Sequence, residues 1–261
     1  MLIGEGIMIS LIDGDSIAYK YASIYQDTVI WDDSDEDNIV ASVSTDLETA
    51  LEEMDYFIEG IRDHTDTDDS VIILSPKKSF RYDVTPTYKG NRKPPKVPLE
   101  MLLPIREHLL EKGALLFDNV EADDVCVSRM YKEPGKYVLC HIDKDLNQAP
   151  GKHYNYNTQE SYEVTQEEAD YWFYLQVLEG DSVDGVKGCP KIGKIKAAKI
   201  LAATDPKDYW EVIEETYDKA GMTYEYLIEQ AQLVYMLRDF DEETQQVNLW
   251  TPTGVKNETK V

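Results

Sequence analysis

Three short apolar runs limit this chain more than any other feature: residues 8–12 (MISLI), 71–74 (VIIL) and 137–142 (YVLCHI). Each is strand-length and almost continuously apolar, the pattern of a strand buried on both faces. Helical periods stand between them. Leu47, Ala50, Leu51, Met54, Phe57, Ile58 and Ile61 share one helix face, and Thr45 with Glu48 reads as the capping box that opens it. Further helices are expected over 99–112, closed by Gly113, and over 122–132, and a short strand over 115–117. Residues 27–38 read as an acidic loop or a hairpin around Thr28–Trp31. Strands alternating with helices predict an α/β fold with a mostly parallel sheet flanked by helices. After about Val164 the pattern turns helical, over 166–178, 194–203, 207–218 and 224–237. A last strand is expected over 247–250 and a frayed tail from Asn257. The division that follows is 1–164, with an irregular Pro-rich excursion at 75–98, then 165–240, then 241–261.

Nothing in the 261 residues approaches the roughly 18 apolar residues of a membrane span. The first dozen residues lack the basic segment and cleavage site of a signal peptide. Cys126, Cys140 and Cys189 lie far apart with no CxxC pair, which fits a reducing cytoplasm, and the four histidines are scattered, against a zinc site. The net charge of −25 argues at first against a nucleic-acid partner. Its distribution argues the other way. Residues 77–96 hold seven Lys or Arg and one acid; residues 185–204 hold five lysines and no acid. Two basic islands on an acidic body can grip a phosphate backbone locally.

The acids recur where strands and turns end. Asp13 closes the first apolar run. Glu121, Asp123 and Asp124 open a helix, Asp143 and Asp145 leave the third run, and Asp181 and Asp184 lie in a glycine-flanked turn. In parallel sheets the site lies beyond the strands' C-terminal ends. If these carboxylates converge, they cannot all ionise without a cation. All-oxygen donors favour two Mg²⁺ or Mn²⁺ ions, the arrangement that cleaves phosphodiesters. Lys187, Gly188, Lys191 and Gly193 form a turn opening a helix that carries Lys194, Lys196 and Lys199. Turn amides and lysines together read as a helix–hairpin–helix-like clamp on a DNA backbone, without base specificity.

Four motifs in order, Leu11-Ile12-Asp13-Gly14-Asp15, Tyr88-Lys89-Gly90-Asn91-Arg92, Val120-Glu121-Ala122-Asp123-Asp124 and Asp143-Lys144-Asp145, precede a fifth running from Leu178 through the lysine-rich helix. With them the chain resembles the structure-specific 5′ nucleases, above all the bacteriophage 5′→3′ exonucleases and flap endonucleases. The resemblance implies a PIN-like (Rossmann-like) nuclease core and a helix–three-turn–helix module that holds duplex DNA at a 5′ end, nick or flap. RNA–DNA hybrids remain compatible substrates. It implies a first metal cluster of Asp13, Glu121 and Asp123 with Asp124 near, and a second of Asp143, Asp145, Asp181 and Asp184. It assigns Lys89 and Arg92 to the scissile phosphate, Tyr88 to stacking on a base, and K⁺ to the carbonyls of the module's turn.

Three departures stand out. The second strand runs into Ser75-Pro76-Lys77 where relatives carry an acid, which predicts one ligand fewer in the first cluster. Only 28 residues separate Arg92 from Glu121, too few for a long helical arch. Lys191 replaces the first glycine of the hairpin. Two other readings stay open: a DNA-binding protein that does not cut, and an RNA-directed PIN ribonuclease.

Overall fold

Strand β1 (Ile9–Asp13) is hydrogen-bonded in parallel to β4 (Asp69–Leu74) on one side and to β6 (Tyr137–His141) on the other. The computed structural model describes residues 7–35 and 39–252. The sheet has the order β5-β4-β1-β6-β7-β8, with β5 at Leu115–Leu116, β7 at Gly151–Asn155 and β8 at Glu160–Val164. Five strands are parallel and β8 is an antiparallel edge. The two strands that follow β6 were not foreseen. Their residues are largely polar and half-exposed, so no buried run marks them.

Successive residues of a strand point to opposite faces, and each face has its own helices. Ile12, Val138 and Cys140 pack with Ile17, Met54 and Ile105 of α1 (Gly14–Ile24), α2 (Leu47–Thr65) and α4 (Leu102–Glu111). Leu11, Ile73 and Leu139 pack with Val125 and Cys126 of α5 (Ala122–Lys132). Helix α1 starts against β4, and only glycine fits there: a Cβ on Gly14 would lie 2.5 Å from Ile72 Cγ2. Asp46, not Thr45, caps α2 by accepting from the Thr49 amide. The acidic segment before it forms a two-stranded ribbon, β2 (Gln26–Asp32) with β3 (Val40–Thr45).

The excursion holds one short helix, α3 (Arg81–Val84), and then only turns through residues 85–101. No helical arch is present among the described residues. Beyond the sheet, α6 (Gln166–Glu179), α7 (Lys194–Ala202), α8 (Tyr209–Lys219) and α9 (Tyr224–Val234) close on a second core built on Phe173, Leu201, Ile213, Tyr217 and Leu227. Residues 247–250 are not a strand. They run irregularly over this bundle, with Trp250 against Phe173 and Trp210 at centroid distances of 5.2 and 4.7 Å. The tail expected from Asn257 lies outside the described residues.

Candidate active site

Because β1, β4 and β6 are parallel neighbours, their C-terminal ends open on one side of the sheet. Asp13 ends β1, Ser75 follows β4 and Asp143 lies two residues beyond β6. The N-terminus of α5 brings Glu121 and Asp123 to the same place. The turn after α6 brings Asp181 and Asp184 from the other side. Glu121, Asp123, Asp143, Asp145, Asp181 and Asp184 line one cleft with Tyr88, Lys89 and Arg92. Its volume of about 130 Å³ admits waters and ions but not a nucleotide.

Burial and like charge dominate the acids. Burial, then the neighbouring Asp15, push Asp13 up to about 6. Burial, then Asp143, push Asp145 up to about 7. Asp123 is held well above the usual carboxylate range by burial and by the charges of Asp13 and Asp143. Glu121 is the exception. Burial would raise it, but Arg81 and Lys89 outweigh that and hold it low.

Cations of the excursion lie directly on these acids. Lys89 Nζ is 2.6 Å from Glu121 Oε1 and 3.7 Å from Asp184 Oδ2, and Arg92 donates to Asp184 Oδ1. The Lys89 amide donates to the Asp184 carbonyl at 2.8 Å, and Asn91 donates to the Ser182 carbonyl. The YKGNR segment is thus stitched to the turn that carries the second group of acids.

Two assignments need correction. Asp124 is fully buried and its carboxylate is used up: Arg81 takes both oxygens at 2.6 and 2.9 Å, and the Leu237 and Glu121 amides donate to it. It is a strut for α5, not a metal ligand. Tyr88 is 3% exposed and cannot stack on a base. Its hydroxyl donates to Asp184 at 2.8 Å and lies 3.1 Å from Glu121, joining the two acid groups.

Nothing in the amino-acid pattern singles out Arg81. It lies inside the first basic island, yet it is 1% exposed and also donates to the Leu233 and Tyr235 carbonyls at the C-terminal end of α9. Ser75, where an acid was missing, is not idle. Its amide donates to Asp15, its carbonyl accepts from Arg106 and its hydroxyl accepts from the Ala122 amide.

Among the described residues, no three His, Cys, Asp or Glu side chains converge closely enough to hold a metal ion as they stand. Lys89 and Arg92 occupy part of the carboxylate set. The chemistry of the donors nevertheless fits a divalent cation. All are carboxylate oxygens, and burial with like charge works against the ionised forms of Asp13, Asp123 and Asp145, a penalty that a bound cation would relieve.

On the second island, Lys187, Lys191, Lys194, Lys196 and Lys199 are exposed, and none is in an ion pair among the described residues. Gly193 caps α7 without a side-chain hydrogen bond. Lys191 has φ 63°, so the turn keeps a left-handed residue where a glycine was expected. Gly188 corrects the expectation of a free amide. It is buried, its N–H donates to Gln230 Oε1 at 3.0 Å, and a Cβ there would strike the Gly180 nitrogen. Gln230, on α9, had no signature in the sequence.

The family described as "5'-3' exonuclease, N-terminal resolvase-like domain" matches residues 8–172, more than half of the chain. The chain belongs to this 5′-3′ exonuclease family. It is therefore a nuclease. An exodeoxyribonuclease of Enterobacteria phage T3 is 28% identical over 211 residues, covering 65% of this chain and 68% of that protein. A 5′-3′ exonuclease of Buchnera aphidicola subsp. Schizaphis graminum is 31% identical over 211 residues, covering 74% and 69%. Among solved structures, the bacteriophage T5 D15 protein co-crystallised with metal ions superposes with a TM-score of 0.62 at 16% identity, covering 87% of this nuclease and 88% of that chain. That likeness concerns the fold, and it extends through both the sheet and the helical bundle.

Proposed function

We propose that this nuclease hydrolyses DNA phosphodiesters at or near 5′ ends, as a metal-dependent 5′→3′ exonuclease and flap endonuclease. The observation that carries the reading is the cleft itself: six carboxylates from three parts of the chain face Lys89 and Arg92 at the C-terminal edge of a parallel sheet. Asp13, Glu121 and Asp123 would hold one divalent cation, Mg²⁺ or Mn²⁺, and Asp143, Asp145, Asp181 and Asp184 a second. When bound, the pair supplies Lewis-acid activation of water and of the leaving 3′-oxygen. Lys89 and Arg92 hold the scissile phosphate by charge, with Arg92 able to fork two oxygens. Tyr88 keeps the segment carrying them in register with both acid groups. The product would carry a 5′-phosphate.

The helical bundle would hold the duplex. Five exposed lysines around the 187–199 turn and helix contact phosphates and carry no sequence information. The turn's carbonyls are the proposed K⁺ site. An RNA–DNA hybrid 5′ end fits the same geometry. No helix among the described residues is long and apolar enough to cross a membrane. The three free, buried cysteines support a reducing cytoplasm, that of a host cell for a phage-type replication or recombination enzyme. A 5′-flap duplex and a nicked duplex, each labelled at both ends, test the proposal. Short 5′ products in Mg²⁺ and none in EDTA are expected. Binding without products in either Mg²⁺ or Mn²⁺ would overturn it.

A further inference from the structure

Asp13 is reached from behind by a hydrogen-bond chain that the functional reading does not use. Its Oδ2 accepts from Ser16 Oγ at 2.6 Å, and its Oδ1 from the Asp15 amide at 3.1 Å. Ser16 Oγ lies 2.8 Å from the hydroxyl of Tyr156. Serine has a single hydroxyl proton, and the carboxylate takes it. The Tyr156 hydroxyl must then donate to Ser16. The proton order is fixed: Tyr156 O–H to Ser16 Oγ, Ser16 O–H to Asp13.

The chain crosses the sheet. Tyr156 directly follows β7, and Asp13 ends β1; β6 lies between them and leads to Asp143. Tyr156 is 6% exposed, and the edge of the Phe57 ring holds it at a centroid distance of 5.7 Å. A tyrosine fixed by packing thus sets the rotamer of a serine in the first turn of α1, which sets one oxygen of Asp13. Carboxylates that bind cations depend on such outer hydrogen bonds for orientation.

The geometry points to Ser16 and Tyr156 as positioning residues for the cation-binding carboxylate of Asp13. This rests on the proposed role of Asp13. Neither side chain touches the cleft, and neither takes part in the chemistry. Loss of either hydroxyl leaves Asp13 free to turn and weakens cation binding before it alters anything else.

The test is direct Mn²⁺ titration of the DNA-free protein by calorimetry, comparing wild type with Tyr156→Phe, Ser16→Ala, Asp13→Asn and Tyr154→Phe. Tyr154 is a neighbouring buried tyrosine whose ring stacks on His64. It controls for loss of any phenol from this region. Tyr156→Phe and Ser16→Ala are each expected to weaken Mn²⁺ affinity about tenfold to a hundredfold. Tyr154→Phe should match wild type, and Ser16→Thr, which keeps a hydroxyl, should restore affinity. In cleavage assays the Mg²⁺ needed for half-maximal rate should rise, with the rate recovering at saturation. Should Tyr156→Phe melt early in EDTA, Ser16→Ala and Ser16→Thr decide alone. Wild-type Mn²⁺ affinity in Ser16→Ala would overturn the inference while leaving the cleft's assignment standing. If Asp13→Asn also binds like wild type, the assignment of Asp13 fails too.

Discussion

Asp123 and Asp124 are adjacent in sequence and opposite in role. Asp123 lines the cleft, whereas Asp124 is turned into the protein onto Arg81. Removing one partner of a buried pair leaves an uncompensated charge and costs about 3–5 kcal/mol. Asp124→Asn should therefore lower stability by about that amount in denaturant titrations, with Asp123→Asn far milder. Equal losses would contradict the strut. Lys89 belongs to the cleft itself. Lys89→Ala should slow single-turnover cleavage by about 10²–10³, the scale for losing one electrostatic donor to a developing charge. An unchanged rate would remove Lys89 from the mechanism. The acids were legible in the sequence because several independent element ends carried them. Which ones face the cleft was not, since the deciding partner of Asp124 is 43 residues away.

At the scale of elements, the buried strands and the amphipathic helices announced themselves, and their order predicted the parallel sheet. The β7–β8 hairpin did not, because its stability comes from pairing to β6 rather than from an apolar run of its own. That pairing buries two histidines. His153 Nε2 lies 2.8 Å from the Ala149 carbonyl, so it donates there; Nδ1 then accepts from His141 Nε2 at 2.9 Å. Burial pushes His153 down to about 4, and burial with the charge of His153 pushes His141 down to about 3. Between pH 6.5 and about 4 the unfolded chain binds protons here that the folded one refuses, so these groups lower stability as pH falls through that window. Asp13 and Asp145, raised to about 6 and 7, act oppositely: the folded state keeps protons that the unfolded chain releases above about pH 4. Comparing His153→Gln with wild type separates the two. The variant should gain relative stability as pH drops from 6.5 to 4, by an amount on the order of a few kcal/mol. A pH-independent difference would contradict the buried neutral pair.

Across the whole molecule the decisive property is charge placed against the mean. A body of net charge −25 repels DNA at long range, and two basic islands reverse that locally. They do so differently. The first turns much of its charge inward, with Arg81 in the core and Lys89 and Arg92 on the acids. The second leaves five lysines in solvent, none in an ion pair among the described residues. That difference was invisible in the counts, because burial of a cation is set by contacts across the fold. Duplex affinity should fall linearly in log–log plots against salt. Lys196→Ala and Lys199→Ala should each reduce the slope by about one, uniformly across sequences. A slope unmoved by either would place the duplex elsewhere.

On the proposed function, the acids at the sheet's edge cut DNA that the helical bundle holds. Paired measurement of single-turnover cleavage in Mg²⁺ and duplex affinity in Ca²⁺, for wild type and Asp143→Asn, separates the two roles. Cleavage should fall by at least about 10², while duplex affinity stays within about twofold. Undiminished cleavage, or equal loss of cleavage and binding, would remove the acids from catalysis or the bundle from duplex binding.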